Sequence, residues 1–320
     1  MRVLVSGATG FIGSHLLRPL LDQGHSVFGL VRRHPPQPVA GVEYCIQDLT
    51  APLDYDVLPK KIDVIIHQAT LIDTGPADTV SVDVTPFMTN IVGTWRILHY
   101  AHHAGVRTFV YASTGGVYGC SDRPLVEESP LNPMDYYGMT KAQAELAVTS
   151  SLYTIPMRSF NTIILRYFFP IAIGTPNPVP TYVAAAVRGE TIALPRADGP
   201  LFNPISIQDT VEATITAMDL RQDTILNIAG TEITTFGEIA SFAAALSGRR
   251  LQTRVIPEED VIPFYRSDLV ADIGAMQRVL GFTPKVSLAT TLAELTDHYI
   301  AALHSESRSD SRSPVGDTQA

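Results

Sequence analysis

Tyr137 and Lys141 are the two side chains of this 320-residue sequence best able, by type and spacing, to do chemistry together. They stand in Tyr137-Gly138-Met139-Thr140-Lys141, a Y-x-x-x-K segment within a stretch whose pattern predicts a helix over 135–152. Positions i and i+4 share one helical face, so phenol and amine look the same way. A free phenol titrates at about 10, too high to trade protons readily at neutral pH. A neighbouring cation favours the phenolate and lowers that value. Such a tyrosine can take a proton from a carbinol or return one to a ketone. Tyr136 is no substitute, because the residue four positions after it is Thr140.

A carbinol that loses its proton must also lose a hydride, and the N-terminus offers a place for the acceptor. Gly7-Ala8-Thr9-Gly10-Phe11-Ile12-Gly13 follows a predicted strand over 2–6 and opens a predicted helix over 11–23. Glycines there permit a tight turn and let backbone amides approach a pyrophosphate, while the helix start presents free N–H groups and a positive dipole end. A strand–turn–helix context makes this glycine pattern a dinucleotide site, with Gly7, Thr9, Gly10, Phe11, Ile12 and Gly13 as its contacts. A second strand, over 25–31, ends in Arg32-Arg33 where an acidic residue would mark NAD. Paired guanidinium groups suit a ribose 2′-phosphate, so NADP(H) is favoured and NAD(H) is the alternative.

The elements that must position these groups alternate. Predicted strands over 43–47, 62–67, 108–113 and 162–167 are interleaved with helices, including one over 90–104. That alternation implies an α/β fold, a Rossmann-type doubly wound parallel sheet covered on both faces. After Phe168 the pattern changes to proline-punctuated loops, short helices over 182–188, 209–219 and 236–246, and short strands. The expected organisation is a cofactor-binding and catalytic domain over 1–169 and a smaller interleaved α+β substrate domain over 170–303, with a strand near 224–230 returning to the sheet. Residues 304–320 have almost no apolar side chains and read as a disordered tail.

The glycine spacing G-x-x-G-x-x-G resembles the extended, epimerase/dehydratase branch of the short-chain dehydrogenase/reductase superfamily. Val110-Tyr111-Ala112-Ser113-Thr114-Gly115-Gly116-Val117-Tyr118-Gly119 is similar to that family's segment ahead of the catalytic tyrosine, and Asn90-Ile91-Val92-Gly93-Thr94 to its N-x-x-G-T helix. Further similarity reaches Leu280-Gly281-Phe282-Thr283-Pro284, so the resemblance covers roughly residues 1–300 in order. It implies Tyr137 as acid/base, Lys141 as its tuner, and Thr114 as the hydroxyl that orients the reacting oxygen, with Ser113 as the fallback. It further implies cofactor contacts from Asp48 and Leu49, from Gln68, Ala69 and Thr70, from Asn90, and from Phe168 and Pro170. A homodimer built on the catalytic helix and its neighbour is expected by the same resemblance.

The chain departs from the family at the substrate side. Nucleotide-sugar epimerases usually place an Asn where this chain has Phe169, and an Arg where it has Phe202, both for a diphosphate. That exchange argues against a nucleotide-diphosphate substrate, unless Arg188 or Arg196 takes over. Sugar dehydratases place Asp-Glu where Gly115-Gly116 stand, so dehydration is not expected, and the two glycines leave room for substrate. Phe169 and Phe202 join Thr114, Gly115 and Gly116 as substrate-side candidates.

Composition bounds the rest. A net charge of −9 without a basic block makes nucleic acid and anionic membranes poor partners. Two cysteines, Cys45 and Cys120, and no secretory signal suggest a reducing, cytoplasmic compartment. His99, His102 and His103 cluster near a predicted helix end, where cationic side chains are favoured, and no metal is expected. The favoured reading is net ketone reduction or alcohol oxidation on a sugar-like substrate. The alternatives are a (nucleotide-)sugar epimerase with retained NAD and a non-catalytic cofactor-binding protein.

Overall fold

The computed structural model describes residues 1–72, 83–119, 121–156, 158–261 and 265–310. Cys120 and residues 311–320 lie outside them. The first half runs β1 (Arg2–Ser6), α1 (Phe11–Asp22), β2 (Ser26–Val31), β3 (Val42–Ile46), β4 (Val64–His67), a short turn α2 (Thr85–Phe87), a π-helical turn (Met88–Val92), α3 (Gly93–His103), β5 (Thr108–Thr114), α4 (Tyr136–Thr154) and β6 (Asn161–Tyr167). The second half adds β7 (Pro170–Ile171), α5 (Val179–Arg188), β8 (Thr191–Pro195), β9 (Ile205–Ser206), α6 (Ile207–Ala217), β10 (Thr224–Ile228), α7 (Phe236–Leu246), β11 (Gln252–Ile256), α8 (Gly274–Leu280) and α9 (Leu288–Asp310).

Seven strands form one sheet in the order β10-β6-β5-β4-β1-β2-β3, every pairing parallel. Alternation along each strand splits its side chains between two cores. Val3 and Val5 join Leu16, Leu17 and Leu20 of α1 and Val211 of α6 on one face. Leu4 and Ile65 join Ile97 and Tyr100 of α3 and Val148 of α4 on the other. The strand order reverses between β1 and β4, and ligands of such sheets bind in the crevice that opens there.

The later segments build a third core from α5, α7 and α9, with Val183, Phe202, Phe236 and Ile239 at its centre. β10 then rejoins the main sheet beside β6. The helix expected over 182–188 starts earlier, at Val179. Its prolines stand at or before the first turn, where a missing N–H loses no bond. Helix α9 continues through Asp310, seven residues into the stretch whose composition reads as disordered. A helix already nucleated propagates at one bond per added residue, which carries it past the last apolar side chains. Among the described residues no helix is long and apolar enough to cross a membrane.

Candidate active site

The carboxyl ends of β1, β4, β5 and β6 open into one cleft of about 1800 Å³. Its floor at one end is the glycine-rich turn. The Gly7 amide donates to the Leu30 carbonyl (3.0 Å) and the Gly10 amide to the Gly7 carbonyl (2.8 Å). Gly13 presses the start of α1 onto this turn, since a Cβ there would overlap the Gly7 carbonyl oxygen. No side chain caps α1 and no carboxylate stands in its first turn, so its positive end is left for an anion. Gly7, Thr9, Gly10, Phe11, Ile12 and Gly13 all line the cleft, as do Gln68, Ala69 and Thr70 after β4.

Of the two arginines after β2, Arg32 lines the cleft and Arg33 does not. Arg32 shares its rim with Asp48 and Leu49. The Asp48 carboxyl is held below the usual carboxylate range by the Thr50 amide and hydroxyl, 2.8 Å each, with a smaller contribution from the Arg32 charge. An ionised carboxylate within reach of Arg32 disfavours the second anion that a 2′-phosphate would bring. The expectation of NADP(H) from this arginine pair therefore gains no support from the geometry.

Tyr137 and Lys141 stand on α4, whose start is capped by Asp135 accepting from the Gly138 amide (2.6 Å). Tyr137 lines the cleft beside Thr70. Thr70 donates to Asn90 (3.0 Å), and Asn90 donates to Thr140 (2.9 Å) and to the Leu71 carbonyl (2.9 Å). Asn90 is 1% exposed and does not line the cleft. It clamps α4 to the loop after β4 from behind the cleft wall. Burial pushes the Tyr137 phenol up, the neighbouring Thr70 side chain opposes this, and the Asp135 charge adds to the rise. Lys141 by itself therefore does not make the phenol acidic. Burial also pulls the Lys141 ammonium down to about 7, against the pull of Glu145.

Thr114 lines the cleft and accepts from the Gly116 amide (3.1 Å), which fixes its oxygen and leaves its own proton to donate. Ser113, the expected fallback, is already committed, because its hydroxyl donates to Glu145. Glu145 in turn receives Arg166 through Nε (3.0 Å) and a terminal nitrogen (2.7 Å) in the interior behind the cleft. Of the two glycines expected to admit substrate, Gly116 lines the cleft. Gly115 instead makes room for the Phe168 ring, which would lie 2.6 Å from a Cβ there.

Phe168, Phe169 and Pro170 line the cleft, Phe169 with a left-handed φ of 47°. Phe202 does not: it is 1% exposed, 4.6 Å from the Phe169 ring and 4.7 Å from Phe236. Its expected place at the substrate is corrected to the core, because an inward aromatic pays no desolvation penalty there. Arg188 and Arg196 do not line the cleft either, and Arg196 is paired with Asp268 (2.7 Å). The cleft guanidinium on this side is Arg266, joined by Tyr182 and Tyr265, none of which the motifs single out. His67, 0% exposed, bridges Ser6 (2.5 Å) and Thr94 (2.9 Å), and burial with the Lys141 charge lowers it to about 3. It is a neutral strut. His99 and His103 pack on Trp95 and Tyr55.

The site fits a nicotinamide dinucleotide: an uncompensated helix start for the pyrophosphate, and a phenol and an amine on the wall of the same cleft. The match to known proteins agrees. Residues 3–229 match the NAD dependent epimerase/dehydratase family. The chain is 30% identical over 298 residues to UDP-glucose 4-epimerase uge1 of Schizosaccharomyces pombe, covering 80% of this chain and 82% of that protein. It is similar in structure to MoeE5 in complex with UDP-glucose and NAD, with a TM-score of 0.82 and 29% identity over 95% of this chain and 100% of that one. It is also similar to UDP-glucuronic acid 4-epimerase from Bacillus cereus in complex with UDP-glucuronic acid and NAD, with a TM-score of 0.81 and 25% identity over the same shares. The chain is an enzyme of the extended short-chain dehydrogenase/reductase type and belongs to the NAD-dependent epimerase/dehydratase family.

Proposed function

We propose that this enzyme epimerises a hydroxyl-bearing carbon of a nucleoside-diphosphate sugar and retains NAD between turnovers. The observation that carries this reading is one large cleft whose walls include the glycine turn, Tyr137 and Arg266. It has room for a dinucleotide and a second large ligand side by side. The relatives named for UDP-sugars and NAD support it, and they weigh against the net, NADP(H)-dependent redox reading favoured by the sequence. The loss of two polar anchors at Phe169 and Phe202 is answered by Arg266. Its Nε donates to the Val261 carbonyl (3.0 Å), which aims the guanidinium. A guanidinium suits a diphosphate through paired donors.

When bound, NAD supplies reversible uptake and return of a hydride. The chain supplies the rest. Tyr137 moves the proton at its Oη, Thr114 holds the reacting oxygen, and Lys141 favours the phenolate only together with the positive charge of the bound cofactor's ring. Phe168 and Phe169 wall the site with apolar surface that excludes water. Incubation with UDP-glucose or UDP-galactose, followed by NMR, is expected to show both isomers with no net change in nicotinamide absorbance and with NAD released on denaturation. Stoichiometric consumption of NADPH with accumulation of a reduced sugar overturns the reading. We also propose a homodimer through the outer face of α4, where Leu146 and Tyr153 are 66% and 86% exposed, to be checked by sedimentation.

A further inference from the structure

The Lys141 ammonium is buried with no hydrogen bond or ion pair among the described residues. Its obvious counter-charge, Glu145 one turn along α4, is spent on Arg166 and Ser113. What the ammonium does have is the face of Tyr111, with Nζ 4.2 Å from the ring centre. Tyr111 is 0% exposed on β5, and its hydroxyl makes no hydrogen bond of normal geometry. A buried phenol with an unpartnered oxygen is costly to keep for that oxygen, so the ring is the part in use. A cation over an aromatic face is attracted by the ring quadrupole, most strongly where both are desolvated.

We propose that Tyr111 is a positioning residue for the reaction: its ring is the seat that keeps the Lys141 ammonium charged and aimed into the cleft. The charged and titratable groups that act on Lys141 are Glu145 from α4, Tyr111 from β5 and His67 from β4, with Arg166 of β6 closing Glu145 and Tyr137 one turn earlier on α4. His67 is neutral, and Glu145, although its charge still favours the ammonium, spends its oxygens on Arg166 and Ser113, so the ring face is the contact the cation makes. The role of the lysine in turnover rests on the epimerase reading, but the seat does not, and the two are tested apart.

The seat is read without substrate by following the titration of isotopically methylated Lys141 by NMR in the folded protein. Tyr111→Phe keeps the face and is expected to leave the midpoint unchanged. Tyr111→Leu removes the face and is expected to lower it by roughly one pH unit. The falling alkaline limb of the epimerase pH profile should move by the same amount in the leucine variant and stay in place in the phenylalanine variant. An unmoved NMR midpoint in a folded Tyr111→Leu protein overturns the seat, as does a shift of equal size in Tyr111→Phe. Absence of epimerase activity in the unaltered enzyme overturns the proposed function and leaves the NMR result standing.

Discussion

The Glu145 carboxylate lies 2.7 Å from the Arg166 guanidinium, and both side chains are 3% exposed. Arg166 also donates to the Tyr118 hydroxyl (2.6 Å) and the Glu127 carbonyl (2.9 Å), so the pair ties α4 and β6 to the loop after β5. Removing one partner strands the other charge in the interior, at a cost of about 3–5 kcal/mol. Glu145→Gln should therefore lower stability by that order. The double change Glu145→Leu with Arg166→Met should cost far less, and urea unfolding of the three proteins at neutral pH measures both.

Tyr137→Phe removes the proton carrier and leaves the ring in place. Thr70 stays anchored by Asn90, so the fold and NAD content should be unchanged. Turnover is expected to fall roughly 100- to 10,000-fold, the usual worth of a positioned general acid/base. Steady-state kinetics on protein of matched cofactor content checks this. A variant with activity near that of the parent assigns the chemistry elsewhere.

His67 gives the fold an acid sensitivity of known sign. Its folded value of about 3 lies below the ordinary histidine value, so between the two the unfolded chain binds the extra proton. The contribution is complete above about pH 6.5 and is lost as pH falls toward 3, at about 1.4 kcal/mol per pH unit. His67→Gln should flatten that slope, as read from unfolding free energies measured across the range.

Arg266→Ala should act on substrate and spare cofactor. Loss of a charged hydrogen-bonding partner is worth about 1.5–3 kcal/mol, which corresponds to a rise of roughly 10- to 150-fold in KM for the nucleotide sugar. Retained NAD should not change, because the glycine turn packs on Leu30 and Ala69 while Arg266 is held by Val261. Equal loss of both places Arg266 in the fold and not at the substrate.

The elements that hold the cofactor were legible because they are local. Gly7 to Gly13 and the strands around them obey periods that any window of the chain displays. Register along the chain favours Thr114 over Ser113, and what the chain does not display is non-local: the Ser113 hydroxyl is taken by Glu145, 32 residues away. The place of Phe202 in the core and of Arg266 on the cleft wall is hidden along the chain for the same kind of reason. Nothing in an aromatic's neighbours along the chain says whether it faces a cleft or a core, and Phe202 finds Phe169 and Phe236 only in space. Arg32 and Arg33 look equivalent in sequence. The rim separates them, since one faces Asp48 and the cleft and the other does not.

β10 is contributed by the part of the chain that has already built the substrate side, yet it is zipped to β6 along its whole length. The Phe168 amide donates to the Ile228 carbonyl (2.9 Å) one residue before the chain turns at Phe169 into the cleft wall. Floor and wall thus share a backbone seam, and one cannot swing open without tearing the other. A chamber braced this way keeps its width through a reaction cycle. On the proposed epimerase reading, that bracing would let a flat ketone pivot between its two faces while denying it a gap through which to escape half-finished.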